Sequence, residues 1–280
     1  IMITQLLEVP TAPFLVFVAL AANIGGAATF IGSPPNMIIG SRAGLSFNDF
    51  LMHMAPAALL AGVALMSAAV LGMGRRLRIS AHVRTRVINA HPDLAITDPG
   101  AMRVSLAVLA LILLGLLLQG QIHVEAGMTA LCGMGLMLFL RHGSAEKVLA
   151  RVDWGTILVL AGLFILAGSL EANGAVSLVA GEIVSLCGGG IMPACMAIMW
   201  GSAILSAALG NIPLAVAMAP MACELVEKTG GDPHSASPLY WALAIGVSLG
   251  GNGTLFGSAA NAAAARIGGE NGCPISYRTF

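Results

Sequence analysis

Two stretches of this sequence carry the same polar and glycine residues in the same order. Gly25-Gly26-Ala27-Ala28-Thr29-Phe30-Ile31-Gly32-Ser33-Pro34-Pro35-Asn36 and Gly250-Gly251-Asn252-Gly253-Thr254-Leu255-Phe256-Gly257-Ser258-Ala259-Ala260-Asn261 both read GGxxTxxGSxxN, 225 positions apart throughout. The same offset carries Pro13 onto Pro238 and Ala19 onto Ala244. Threonine, serine and asparagine offer hydroxyls, amides and carbonyl oxygens but no charge. Such a set can orient and coordinate a small solute. Close helix packing would explain the glycines alone, not the recurrence of Thr, Ser and Asn in register. A third polar break, Gly210-Asn211-Ile212-Pro213, interrupts another apolar run; Asn211 there can orient a solute or lend its carbonyl to a cation.

The chemistry expected of these breaks follows from backbone physics. In hydrocarbon an unpaired amide or carbonyl costs several kcal/mol, so irregular backbone survives only inside protein or along a wet cavity. Glycine is expected to supply the dihedrals of each break. Ser33-Pro34 and Ser258 are expected to restart the helices, with serine as the cap. Each restart points bare N–H groups and a positive dipole end at the site, which favours an anion. Each preceding half-helix is expected to end in bare carbonyls, which suit a sodium ion. The predicted contact set from the repeats is Gly25, Gly26, Thr29, Gly32, Ser33 and Asn36 with Gly250, Gly251, Asn252, Thr254, Gly257, Ser258 and Asn261. No cofactor is expected, and no metal beyond sodium as a coupling ion at these same residues.

The surrounding composition says where these segments lie. Of 280 residues, 58% are hydrophobic and 9% are charged, against about 25% charged in soluble domains. Net charge is zero, which gives no footprint for nucleic acid. An apolar stretch of about 20 residues crosses a hydrocarbon core of about 30 Å. The sequence predicts spans at 50–73, 102–118, 124–140 and 154–170, an interfacial helix at 175–187, and broken helices at 11–43 and 238–269. The 192–228 segment is too long for one crossing and reads as a re-entrant helical hairpin with its tip at Gly210. Residues 75–101 read as a linker between an end of a first repeat, 1–74, and a second repeat, 102–280.

Basic residues support this layout. Arg75, Arg76, Arg78, Arg84, Arg86 and Arg103 lie in one loop, and Arg141, Lys147 and Arg151 in another two spans away. Arg266 and Arg278 fall on the same side, leaving only Arg42 and Lys228 of the 13 basic residues outside it. By the positive-inside rule the loops 75–101 and 141–151 are cytoplasmic, in a multi-pass cell membrane protein. The two broken helices then run in opposite directions, an inverted repeat with its site at mid-membrane.

No ionisable residue sits at the centre of a predicted span, where such groups mark proton relays. Glu125 and Asp153 read as helix-end caps; Glu171, Glu182, His53 and His123 read as interfacial. An intramembrane protease would need a Ser/His or paired-Asp constellation within spans, so the chain reads as not an enzyme. A channel or non-transporting scaffold is the alternative of another class. The five cysteines (Cys132, Cys187, Cys195, Cys223 and Cys273) form no CxxC pair and read as small membrane hydrophobes. The chain begins at Ile1 inside an apolar run and is expected to be a fragment.

Asn23-Ile24-Gly25-Gly26 with Thr29 and Ile31 to Asn36 resembles the first broken-helix motif of the ion transporter superfamily. The branch is the citrate-transporter-like one, with arsenite permeases, sodium–proton antiporters and the melanosomal P protein. Val152 to Leu158, Gly162-Leu163-Phe164 and Leu170 to Gly174 resemble its second-repeat entry, Leu205 to Pro213 its hairpin tip, and Gly250 to Leu255 its second broken helix. The resemblance implies an all-α membrane protein, an inverted-repeat elevator-type transporter with a re-entrant hairpin and two discontinuous helices, working as a homodimer. It adds Asn23 to the site and implies that residues 1–9 end a first hairpin. Where the branch often has Asp, this chain has Gly210 and Ser33. Two helix N-termini without a carboxylate tilt the expectation toward a small anion or oxyacid, such as arsenite, a di- or tricarboxylate or an inorganic anion. Coupling to sodium or protons is expected, with sodium–proton exchange as the alternative.

Overall fold

The computed structural model describes residues 4, 9–73, 98–122, 124–140, 145–277 and 280. Most of the 75–101 linker and residues 141–144 of the second basic loop lie outside the described residues, as do His123, Arg278 and most of the first-hairpin end at 1–9. Among the described residues all regular structure is helical. Four helices are long and apolar enough to cross a membrane: Phe47–Gly72, Pro99–Leu117, Trp154–Ala172 and Ile191–Leu209. Their outward faces carry large apolar side chains, among them Leu60, Leu71, Leu106, Leu158, Ile165 and Ile204. An apolar surface of that extent needs lipid or further protein against it. The architecture is that of a multi-pass membrane protein.

The chain forms two compact units. One comprises residues 46–48 and 89–161. Its helices are α4 (Pro99–Leu117), the short α5 (Gln119–Ile122), α6 (Ala126–Leu140) and α7 (Ala145–Leu149). Asp98 caps α4 by accepting from the Ala101 N–H at 2.8 Å, with Pro99 in the first helical position where its missing donor costs nothing. Helix α4 packs on α6 at Gly133, where a Cβ would collide with the Ile112 side chain. Asn48 Nδ2 donates to the Leu117 carbonyl at 2.8 Å, satisfying a helix end that would otherwise be orphaned. Helix α6 has 15 residues, roughly 22 Å at 1.5 Å per residue, shorter than the span expected at 124–140.

The other unit comprises residues 1–45, 49–88 and 162–280. It contains α1 (Thr11–Ala27), α2 (Pro34–Ala43), most of α3 (Phe47–Met73), the end of α8 (Trp154–Ala172), α9 (Ala175–Leu186), α10 (Ile191–Leu209), α11 (Asn211–Lys228), α12 (Pro238–Gly250), a 3-10 turn (Gly251–Gly253) and α13 (Ala259–Glu270). Helix α12 is its axis. Leu239, Tyr240, Leu243, Ala244 and Val247 are fully or almost fully buried, the mark of a helix apolar all round and enclosed by others. It packs most closely on α10, where a Cβ on Gly246 would overlap Ser202 Oγ and one on Gly250 the Ala203 carbonyl. Small residues at four-residue spacing let two backbones touch in an apolar setting.

Aromatic rings tie α3 to both broken helices. Phe50 meets Phe30 edge-on at 5.5 Å and Trp241 edge-on at 5.1 Å, the favoured approach of two ring quadrupoles. His53 stacks flat on Trp241 at 4.7 Å, and Trp241 Nε1 is buried with no hydrogen-bond partner.

The 192–228 segment divides where expected, at Gly210. That residue has φ 90° and ψ 151°, a conformation closed to side chains with a Cβ. The arm before it, α10, has 19 residues and is long enough to cross a membrane by itself.

Candidate functional site

The first break runs from Ala28 to Ser33, between α1 and α2. Its backbone is held by one side chain. Asn36, fully buried, donates from Nδ2 to the carbonyls of Gly26 at 3.2 Å, Ala27 at 3.1 Å and Thr29 at 2.8 Å. Carbonyls only accept, so the amide nitrogen must face them and Oδ1 is turned away. The second break repeats this geometry. Asn261, also fully buried, donates from Nδ2 to the carbonyls of Gly251 and Thr254, both at 2.8 Å. In both copies the last glycine donates to the threonine carbonyl, Gly32 to Thr29 at 3.2 Å and Gly257 to Thr254 at 3.1 Å. Both following serines are extended, Ser33 at φ −149°, ψ 147° and Ser258 at φ −149°, ψ 157°.

Three expectations are corrected by this geometry. The half-helix ends are not bare, because the two asparagines cap them; carbonyls buried in an apolar setting require partners. The glycines of the two repeated breaks do not supply unusual dihedrals, since none of Gly25, Gly26, Gly32, Gly250, Gly251 and Gly257 has positive φ, whereas Gly210 does. The repeat glycines supply closeness instead. A Cβ on Gly26 would stand 2.7 Å from the Gly32 carbonyl oxygen, and one on Gly251 3.1 Å from that of Gly257. Gly25 is the exception, with nothing within 4 Å of its added Cβ. Finally, only Ser258 caps with its side chain, accepting from the Asn261 N–H at 3.2 Å. Ser33 holds the cap position but its Oγ is buried without a partner. Pro34 and Pro35 remove two amide donors there, and the next, from Asn36, goes to the Ser33 carbonyl at 3.1 Å.

The two breaks meet. Asn23 Nδ2 on α1 lies 2.7 Å from Asn252 Oδ1, 2.8 Å from Ser258 Oγ and 3.0 Å from Asn261 Oδ1. Ser248 Oγ on α12 donates to Asn36 Oδ1 at 3.4 Å. Asn23 and Ser248 are themselves 225 positions apart. The Gly210 hinge also reaches the second break: the Asn211 N–H donates to the Gly257 carbonyl at 3.0 Å, and Thr254 Oγ1 to the Ala207 carbonyl at 2.6 Å. Asn211 Nδ2 stands 3.6 Å from where a Cβ on Gly251 would be. The structure therefore gathers the predicted residues of both repeats and the hinge into one neighbourhood. Sequence reasoning missed Ser248 and Ala207, although the 225-residue offset applied to Asn23 leads directly to Ser248.

The neighbourhood is polar but uncharged. Among the described residues every buried polar side chain is neutral: threonine, serine or asparagine. No group of three or more His, Cys, Asp or Glu that could hold a metal ion occurs among the described residues. Arg42 and Lys228, the basic residues outside the charge bias, both face carboxylates: Arg42 pairs with Glu171, and Lys228 lies 3.5 Å from Glu224. Asp153 lies just ahead of α8 and accepts from the Thr156 hydroxyl at 2.6 Å and the Thr156 N–H at 3.0 Å. The hydroxyl bond first, and the backbone bond with it, hold its carboxyl below the ordinary carboxylate range. Beside the first break, α1 and α3 enclose a groove of about 580 Å³ lined by Phe17, Ile24, Gly25, Leu59, Val63 and Met66 among others. Its lining is apolar and offers a small ion nothing.

Comparison with known proteins accords with this picture. The sequence profile of a citrate transporter family matches residues 1–246. The chain is 35% identical over 280 residues to the Uncharacterized transporter Rv2684 of Mycobacterium tuberculosis, covering 100% of this chain and 65% of that protein. It is 30% identical over 257 residues to the magnetosome protein MamN of Magnetospirillum gryphiswaldense, covering 90% of this chain and 57% of MamN. It is 27% identical over 360 aligned residues to the P protein of Sus scrofa, covering 100% of this chain and 42% of that protein. The chain thus spans about 65% of the length of its mycobacterial relative. With all regular structure helical among its described residues, two asparagine-locked breaks in apolar helices and a profile match over most of its length, the chain belongs to the citrate transporter family of membrane transporters.

Proposed function

We propose that the full-length protein is a secondary transporter of a small anion or oxyacid, such as a di- or tricarboxylate, arsenite or an inorganic anion. Transport is coupled to a sodium or proton gradient and proceeds by alternating access. The observation that carries this reading is the meeting of two matched helix breaks in one neutral polar neighbourhood. The restarting helices α2 and α13 present their N-terminal, positive dipole ends at Ser33 and Ser258, and such ends favour an anion. The absence of a buried acid among the described residues supports an anion over sodium–proton exchange, which needs a titrating group.

An inverted relation between the repeats is part of this proposal. Helix α1 packs against α13, and α12 against α2. At the residue level Asn23 reaches Asn261 while Ser248 reaches Asn36. This is the exchange that a two-fold relation produces, in which i meets j and j meets i. We place the site of the homodimeric transporter in the cell membrane and have the solute-carrying part move as an elevator.

The test is flux in proteoliposomes of the full-length protein, with citrate, sulfate, arsenite and sodium each offered with and without a pH gradient. Saturable uptake and counterflow of one anion support the proposal. Flux without saturation or counterflow makes the protein a channel. Sodium efflux driven by a pH gradient alone, with no anion moved, makes it an exchanger.

A further inference from the structure

We infer that Asn23 and Ser248 are positioning residues that bind the two helix breaks into a single mechanical unit, with unequal grip on the two sides. The inference rests on the transport reading for its functional consequence but not for its structural one. Each break is held by an asparagine whose Nδ2 is spent on its own backbone carbonyls. What remains of each lock is Oδ1, and each Oδ1 is taken by the other broken helix. Asn261 Oδ1 accepts from Asn23 on α1, and Asn36 Oδ1 accepts from Ser248 on α12.

A carboxamide held at both ends cannot rotate without losing bonds at both. Opening one break therefore also gives up that break's bond to the other broken helix. All four side chains are at least nine-tenths buried, Asn36 and Asn261 completely, Ser248 at 2% exposure and Asn23 at 9%. Water is not at hand to replace a lost partner, so the cost of breaking the crossing falls on the protein.

The grip is unequal because the crossing residues differ in length and in donors. The Asn23 amide has two hydrogens and three oxygens within 2.7–3.0 Å, from Asn252, Ser258 and Asn261. Ser248 has one hydrogen and one acceptor at 3.4 Å. The second break is gripped through its lock, its cap and its 3-10 turn together, the first only through its lock. The first break is thus the compliant one, where backbone adjustment on solute binding is concentrated.

Two measurements test this. The first needs no solute: amide hydrogen exchange of the purified full-length protein in detergent. Asn23→Ser is expected to speed exchange at 254–261, across the contact, and Ser248→Ala at 29–36, with Asn23→Ser giving the larger change. Acceleration confined to the helix carrying the substitution would overturn the crossing. If Asn23→Ser does not accumulate folded, Ser248→Ala, which removes a single long contact, decides the question from the other side.

The second is citrate uptake in proteoliposomes. Asn23→Ser is expected to raise KM by about tenfold, the worth of roughly one net hydrogen bond. The exchanged pair, Asn23→Ser with Ser248→Asn, restores a strong and a weak crossing on opposite sides and returns KM most of the way. An exchanged pair no better than Asn23→Ser alone would refute a positioning role. A wild type that takes up neither citrate nor sulfate, arsenite or sodium would defeat the transport reading, and amide hydrogen exchange would then decide the coupling by itself.

Discussion

At the scale of single residues the decisive groups are Asn36 and Asn261, and the atom that matters is Nδ2. Replacing either by aspartate keeps the shape but substitutes acceptors for donors, leaving carboxylate oxygens against the carbonyls of Gly26 and Thr29 or of Gly251 and Thr254. Each buried group left unsatisfied costs about 1–3 kcal/mol. Asn36→Asp and Asn261→Asp are therefore expected to lower the melting temperature in detergent and to abolish uptake. A variant that melts like wild type would show that these amides do not hold the breaks. Asp153 gives a pH-dependent expectation. Its carboxyl is held below the ordinary range by Thr156, so its contribution is present above that range and fades as pH falls through its lowered value. The stability advantage of wild type over Asp153→Ala should be constant from about pH 7 down to about pH 5 and shrink below about pH 4. Thermal melts across that range measure it.

At the scale of elements, glycines that look alike in the sequence separate by what surrounds them. Gly25→Ala meets nothing and sits inside α1, so it should be neutral or stabilise by up to about 1 kcal/mol. Gly250→Ala, at the matching position, would drive into the Ala203 backbone where α12 lies on α10 and should destabilise. Gly210→Ala forces a Cβ into φ 90°, at a cost of order 1–3 kcal/mol. Equal stability of Gly25→Ala and Gly250→Ala would contradict the close approach of α10 and α12. The positions of the breaks and of the hinge were legible beforehand, because a recurring GGxxTxxGSxxN and a Gly-Asn-Ile-Pro have no other reason to interrupt apolar runs. The locking of the carbonyls was not. Which way an asparagine amide points depends on the path of the chain ten residues earlier, and no spacing rule encodes it. The shortness of α6 and the unpartnered hydroxyl of Ser33 were hidden for a similar reason: both depend on how neighbouring backbone closes, not on residue type.

At the scale of the whole molecule, composition alone separated a lipid-facing surface from a soluble one, and the apolar faces of α3, α4, α8 and α10 carry that surface. The charge bias is the element of topology still open to direct measurement. In a variant freed of its native cysteines, His91→Cys and Glu146→Cys should both react with a membrane-impermeant maleimide from the cytoplasmic side and from that side only. Labelling from opposite sides would mean an odd number of crossings between them and would undo the inverted arrangement. The ion pairs of Arg42 with Glu171 and Lys228 with Glu224 give the two remaining cations a local reason for their positions, so the bias needs no further exception.

The ring column on α3 has a practical corollary. Of the three tryptophans, Trp154 and Trp200 are each more than half exposed, whereas Trp241 is enclosed, with no partner on its indole nitrogen and an imidazole lying flat against it. An indole in so dry a setting emits to the blue, and its emission moves to the red when the stacked rings part and water enters. With Trp154 and Trp200 replaced by phenylalanine, the protein would carry its own optical gauge of the distance between α3 and the second broken helix, readable in real time as a solute is added.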